Sequence, residues 1–206
     1  MRADASTPNS LFFKRKVVAP LRLGVTILSL ATLISLPTLS AHAEPGKCIP
    51  QSHLFGNYEN TEKQVSVGDI PFLVASGAKT SLNAYKGKGI VLNFWATWCA
   101  PCVREMPQLD RLSAFVRENN IEVLTISEDM DGLKSAPQFY KANNLHDLPI
   151  LADIKGRLMR AFKASGLPLT ILIDANGKQV GRVVGAAEWD SIEIVEFVRN
   201  CLSTTK

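Results

Sequence analysis

Two cysteines separated only by Ala100-Pro101 can close a reversible disulfide, and Cys99 and Cys102 are so placed. They follow an apolar run, Ile90-Val91-Leu92-Asn93-Phe94-Trp95, that reads as a buried strand. Beyond them Cys102, Met106, Leu109, Leu112 and Val116 recur at helical spacing and define a buried stripe. Arg104, Asp110, Arg111, Arg117 and Glu118 fall on the polar face of that helix. Cys99 then sits at the helix N-terminus, where free amides and the helix dipole favour an anion, so its thiolate is stabilised. Cys102, one turn inside, is less exposed. The expected chemistry is thiol-disulfide exchange, in which Cys99 forms a mixed disulfide and Cys102 resolves it. A zinc site would need two further ligands, yet the chain has no second CxxC, and after residue 43 its histidines are His53 and His146.

The elements that must position this pair follow from periodicity and turn residues. Phe72 to Val74 and Thr80 to Leu82 read as a short hairpin around Ser76-Gly77-Ala78, and Tyr85 to Gly89 as a turn into the central strand. The helix after the cysteines is expected to continue through Pro107 with a kink. Ile121 to Ser127 reads as a strand and Leu133 to Asn143 as a helix with Pro137 near its first turn. Ile150 to Ala152 reads as a short strand. Leu169 to Ile173 and Gln179 to Val184 form a hairpin about Asp174-Ala175-Asn176-Gly177, and Trp189 to Cys201 the last helix. The whole is an α/β chain with a mixed central sheet and helices on both faces. Glu44 to Glu62 shows no periodicity and is expected to be a loop or short helical arm. No phosphate-binding glycine motif occurs anywhere in the chain.

The N-terminus reads as an address. Lys14, Arg15, Lys16 and Arg22 precede an apolar stretch from Leu23 to Leu36, and Ala41-His42-Ala43 is an A-x-A cleavage site. Residues 1–43 are expected to be a signal peptide or an uncleaved membrane anchor, 44–64 an arm, and 65–206 the folded domain. Either leader places the domain outside the cytoplasm, in the periplasm. Residues 1–43 hold five of the 23 basic and one of the 19 acidic residues, so eighteen of each remain and the mature net charge is zero. The basic pI of 8.9 belongs to the leader, and a nucleic-acid partner is excluded with it.

Cys48 and Cys201 lie near the two ends of the remaining chain. In an oxidising compartment they are expected to form a structural disulfide tying the arm to the last helix; two unconnected cysteines are the alternative.

The run Phe94 to Pro107, FWATWCAPCVREMP, resembles the FWATWCxPCxxExP motif of the TlpA/ResA-type thiol-disulfide oxidoreductases. Gly166 to Lys178, GLPLTILIDANGK, resembles their GxPxTxLIDxxGK motif, and the likeness runs from about Val65 to Leu202. The resemblance implies a thioredoxin-like fold with an N-terminal β-hairpin and a central βα insertion, and no cofactor. It implies a cis Leu167-Pro168 peptide beside the cysteines, where Leu167, Pro168, Trp98 and Pro101 would receive an extended client segment. It implies that Glu105 transfers a proton to the buried thiol or tunes it; a solvated helix charge is the alternative. Thioredoxin has a buried aspartate where this chain has Asn93, which leaves Glu105 as the nearest acid. Trp95 and Trp98 either shape the surface around the disulfide or belong to the core.

Ala100-Pro101 lacks the histidine of strongly oxidising CxxC proteins, so a reducing pair is expected. The resemblance adds clients: apocytochrome c, or copper-site assembly proteins of cytochrome oxidase, with a membrane electron donor to recharge a monomeric reductase. Copper chaperones of related fold use CxxxC with a distal histidine; this chain lacks that spacing, so His146 reads as surface and no metal is expected. A peroxiredoxin-like peroxidase would need a PxxxTxxC loop, which is absent, and a non-catalytic binding module would normally lose a cysteine.

Overall fold

The computed structural model describes residues 48–50, 53–65 and 68–203. The expected leader, residues 1–43, lies outside them. Eight strands form one open mixed sheet: β1 (Asn57–Gln64), β2 (Phe72–Val74), β3 (Lys79–Thr80), β4 (Gly89–Trp95), β5 (Ile121–Ser127), β6 (Leu151–Ala152), β7 (Leu169–Ile173) and β8 (Lys178–Val184). The spatial order is β1-β8-β7-β4-β5-β6-β2-β3. Central β4 pairs parallel to β5 and antiparallel to β7, with Phe94 opposite Leu169. That register brings the start of β7, preceded by Leu167-Pro168, beside the end of β4, from which the cysteines follow.

Among the described residues four α-helices cover the sheet: α1 (Ala100–Val116), α2 (Gly132–Ala142), α3 (Arg157–Ala161) and α4 (Ile192–Leu202). The pleat sends alternate strand residues to opposite faces. Val91, Val123 and Leu172 therefore pack with Met106, Leu109 and Leu112 of α1, Tyr140 of α2, and Ile194 and Val198 of α4. Leu92, Phe94, Leu124, Ile126 and Ile171 point the other way, onto Leu158 of α3, Phe162, Phe72 and Leu82. Helices on both faces, the β2–β3 hairpin and the inserted β6–α3 unit agree with the expected class. Close approach explains Gly89: a Cβ there would meet the Leu202 carbonyl carbon at 2.8 Å, so α4 docks directly on the start of β4.

Several expectations need correction. Within the expected arm, Asn57–Gln64 is not loop or helix but edge strand β1, paired antiparallel with β8; an edge strand whose side chains are mostly exposed has no need of apolar alternation. Asp110 does not face solvent but is buried, its Oδ1 accepting from the His146 and Asp147 amides at 3.0 and 2.8 Å. Helix α2 runs from Gly132 to Ala142, one residue earlier at each end than expected, with Pro137 just past its first turn. The last helix begins at Ile192 with Ser191 as its cap, leaving Trp189 in the preceding loop. Helix α1 does continue through Pro107.

Candidate active site

The redox pair sits where a buried strand turns into a long helix. Cys99 is the cap of α1 and Cys102 lies in its first turn; their sulfurs are bonded, with Cα atoms 5.3 Å apart. Pro101 at the start of the helix forfeits no hydrogen bond, because first-turn amides have no partner within the helix. The Cys102 amide donates to Cys99 Sγ at 3.4 Å. In this oxidised state that sulfur stands where the Cys99 thiolate stands after reduction, so the same amide faces the anion. Cys99 is 6% exposed and Cys102 0%. Of the two, Cys99 alone keeps any exposed surface, so it is the one that a partner can reach.

The loop before Cys99 is held by Asp129, a residue that sequence reasoning missed. Its carboxylate accepts from the Thr97 amide at 3.0 Å, the Thr97 hydroxyl at 2.9 Å and the Ser127 hydroxyl at 3.0 Å. Trp98, next along, is 72% exposed beside the disulfide, whereas Trp95 is fully buried against Phe139 and Tyr140. Of the two tryptophans, Trp98 alone shapes the surface; Trp95 is core. Leu167-Pro168 is cis. Half-buried Leu167 packs against the cluster that contains both cysteines.

Glu105 lies three residues past Cys102, on the same face of α1. It is 2% exposed and is no solvated helix charge. Asn93 Nδ2 donates to its Oε1 at 2.9 Å and also to Thr170 Oγ1 at 2.9 Å. Trp189 Nε1 donates to Oε2 at 3.0 Å, and the Ala187 amide to the same oxygen at 3.4 Å. Burial pushes the Glu105 carboxyl up to about 7 against the pull of these donors, which favour the charged form. A cavity of about 420 Å³ beside Pro101, lined by Glu105, Arg104, Gln108, His53 and Glu188, gives this buried acid a face toward solvent. Asn93 and Trp189 are further site residues. The polar Asn93 inside an apolar strand was a visible signal; nothing local marked Trp189.

Cys48 and Cys201 are joined, Cα to Cα 5.7 Å, across a separation of 153 residues. His146 is exposed and holds Asp110 through its backbone only. Among the described residues no group of three or more histidine, cysteine or carboxylate side chains is placed to bind a metal, and no helix is long and apolar enough to cross a membrane.

The AhpC/TSA family model matches residues 67–180. A thiol-disulfide oxidoreductase ResA of Bacillus cereus (strain ATCC 10987 / NRS 248) is 31% identical over 144 residues, spanning 68% of this chain and 82% of its own length. The chain belongs to the AhpC/TSA family and to its ResA-type thiol-disulfide oxidoreductases. Another ResA, from Geobacillus thermodenitrificans (strain NG80-2), is 33% identical over 144 residues with the same coverage. Among solved structures, the exposed lipoprotein thioredoxin Etrx1 of Streptococcus pneumoniae strain TIGR4 is 28% identical, with a TM-score of 0.53 over 63% of this chain and 97% of its own. StoA of Bacillus subtilis shares the thioredoxin-like fold at 24% identity and a TM-score of 0.52, over 62% of this chain and 95% of its own. In this chain the matched region contains the bonded pair Cys99 and Cys102 and the buried Glu105.

Proposed function

We propose that this ResA-type oxidoreductase is an extracytoplasmic reductase, which keeps the cysteines of client proteins reduced for assembly of cytochrome c or of the copper site of cytochrome oxidase. The observation that carries the reductive direction is the sparse stabilisation of Cys99. Among the described residues its sulfur has one donor, the Cys102 amide, and Ala100-Pro101 supplies neither a side-chain donor nor a charge. Beyond the helix terminus this thiolate gains no histidine, which makes the dithiol less favoured than in strongly oxidising CxxC pairs and the pair more reducing. The Cys48–Cys201 disulfide supports the compartment, since structural disulfides persist where the surroundings are oxidising.

In the reaction, the Cys99 thiolate attacks one sulfur of a client disulfide, and the other client sulfur leaves as a thiolate and takes up a proton. Cys102 then loses its proton to Glu105 and attacks Cys99 Sγ, and the second client sulfur leaves as a thiolate that is protonated from solvent. Two electrons pass to the client, and Cys99–Cys102 is left as the disulfide. Trp98, Pro101, Leu167 and Pro168 form the rim on which the extended client segment docks. A membrane electron donor returns the pair to the dithiol.

The test is equilibration with glutathione buffers. A potential well below that of the glutathione pool supports the reductase, and one near about -120 mV overturns it. Consumption of hydrogen peroxide by the purified protein would instead favour a peroxidase.

A further inference from the structure

Trp189 is wholly buried in the loop between β8 and α4, yet it is gripped on three sides. Its backbone amide donates to Gln108 Oε1 at 3.1 Å and its indole N–H to Glu105 Oε2 at 3.0 Å, both acceptors lying on one face of α1. Its ring meets Phe55 edge to face, centroids 6.2 Å apart. Phe55 is itself wedged against Phe197 of α4 at 4.9 Å. On the same stretch the Glu188 amide donates to the Leu54 carbonyl at 3.2 Å, and Cys48 anchors the arm to Cys201. An indole nitrogen can only donate, so whatever it faces must accept. Here it faces the carboxyl group one turn past the resolving cysteine.

We propose that Trp189 is a positioning residue of the redox centre: its indole N–H, fixed by Gln108 and Phe55, holds Oε2 of the Glu105 carboxylate in place one turn past Cys102 and favours its ionised form. The proposal deepens the proton-acceptor role given to Glu105 above and rests on it for its catalytic meaning. The hydrogen bond is stronger to the ionised carboxylate than to the protonated acid, so it works against the burial that drives Glu105 toward neutrality. Charged or titratable groups facing the same cavity are Arg104 on α1, His53 on the arm and Glu188 beside Trp189, and Cys102 lies one turn before Glu105. None of these donates to Glu105; the donors are Asn93, Ala187 and Trp189.

The chain has three tryptophans, so their indole N–H resonances are readily assigned in the oxidised full chain by nitrogen-15 NMR. The Trp189 resonance should titrate with a midpoint near 7, where the carboxyl of Glu105 is held, and stop titrating in Glu105→Gln. In Trp189→Phe, which keeps the ring beside Phe55, the Glu105 carboxyl carbon should titrate about one pH unit higher. Phe55→Leu loosens the packing but keeps the N–H, and should destabilise the protein with a far smaller change in that midpoint. A Trp189 resonance indifferent to Glu105, or equal midpoint shifts in Trp189→Phe and Phe55→Leu, overturns the proposal. If the carboxyl behaves as expected but the reduction potential shows no matching change of slope with pH, the proton role of Glu105 fails while the positioning by Trp189 stands.

Discussion

At the scale of single residues, burial divides the labour. Cys99 keeps some exposed surface and Cys102 none, so a Cys102→Ser variant should accumulate a mixed disulfide with a client peptide, seen as an adduct by mass spectrometry, whereas Cys99→Ser should form none. Glu105 makes a second prediction. Burial raises its carboxyl from an ordinary 4.5 to about 7, so the fold favours the protonated form. Its contribution to stability is complete below pH 4.5 and is lost as pH rises through about 7, a decline on the order of 3 kcal/mol. Urea titrations of the oxidised protein at a series of pH values should show this fall, and Glu105→Gln should flatten it. Glu128, raised to about 8 by burial and by the neighbouring Asp153, titrates with the same sign, so the flattening is partial. The cysteine pair was legible from spacing alone, but the burial of Glu105 was not. A glutamate three residues past Cys102 looks the same in sequence whether it meets water or Trp189.

At the scale of elements, the strand-to-helix junction depends on ties to its neighbours. Asp129, just past β5, accepts the donors that hold the Thr97 loop, and Asp129→Ala should cost about 1–3 kcal/mol in urea denaturation, because buried donors lose their acceptor. Strands β5 and β7 were readable to the residue, since continuous apolar runs bounded by turn residues leave little latitude. Strand β1 was not. Its side chains are mostly polar, and it is a strand only because β8 offers it an edge. The five-residue helix α3 is too short to display a period.

At the scale of the whole molecule, the Cys48–Cys201 disulfide and the Cys99–Cys102 disulfide differ in the loops they close. The first links residues 153 apart and removes much of the freedom of the unfolded chain, so replacing both cysteines with serine should lower stability by about 4–5 kcal/mol in the chain-entropy model while disulfide exchange at Cys99 persists. Calorimetry and an insulin-reduction assay measure the two outcomes separately. The second spans three residues and so constrains little of the unfolded chain, as suits a bond made and broken at each turnover.

The sequence by itself determined the redox pair, its place at a helix N-terminus, the central strands and the two motifs of the family, because each is written in neighbouring residues. Only the tertiary structure decided what surrounds the pair. Glu105 meets Trp189 across 84 positions and Asn93 meets Thr170 across 77, and such contacts carry no local pattern. The chemistry was therefore legible in the chain, while the raised proton affinity of Glu105 is a property of the fold.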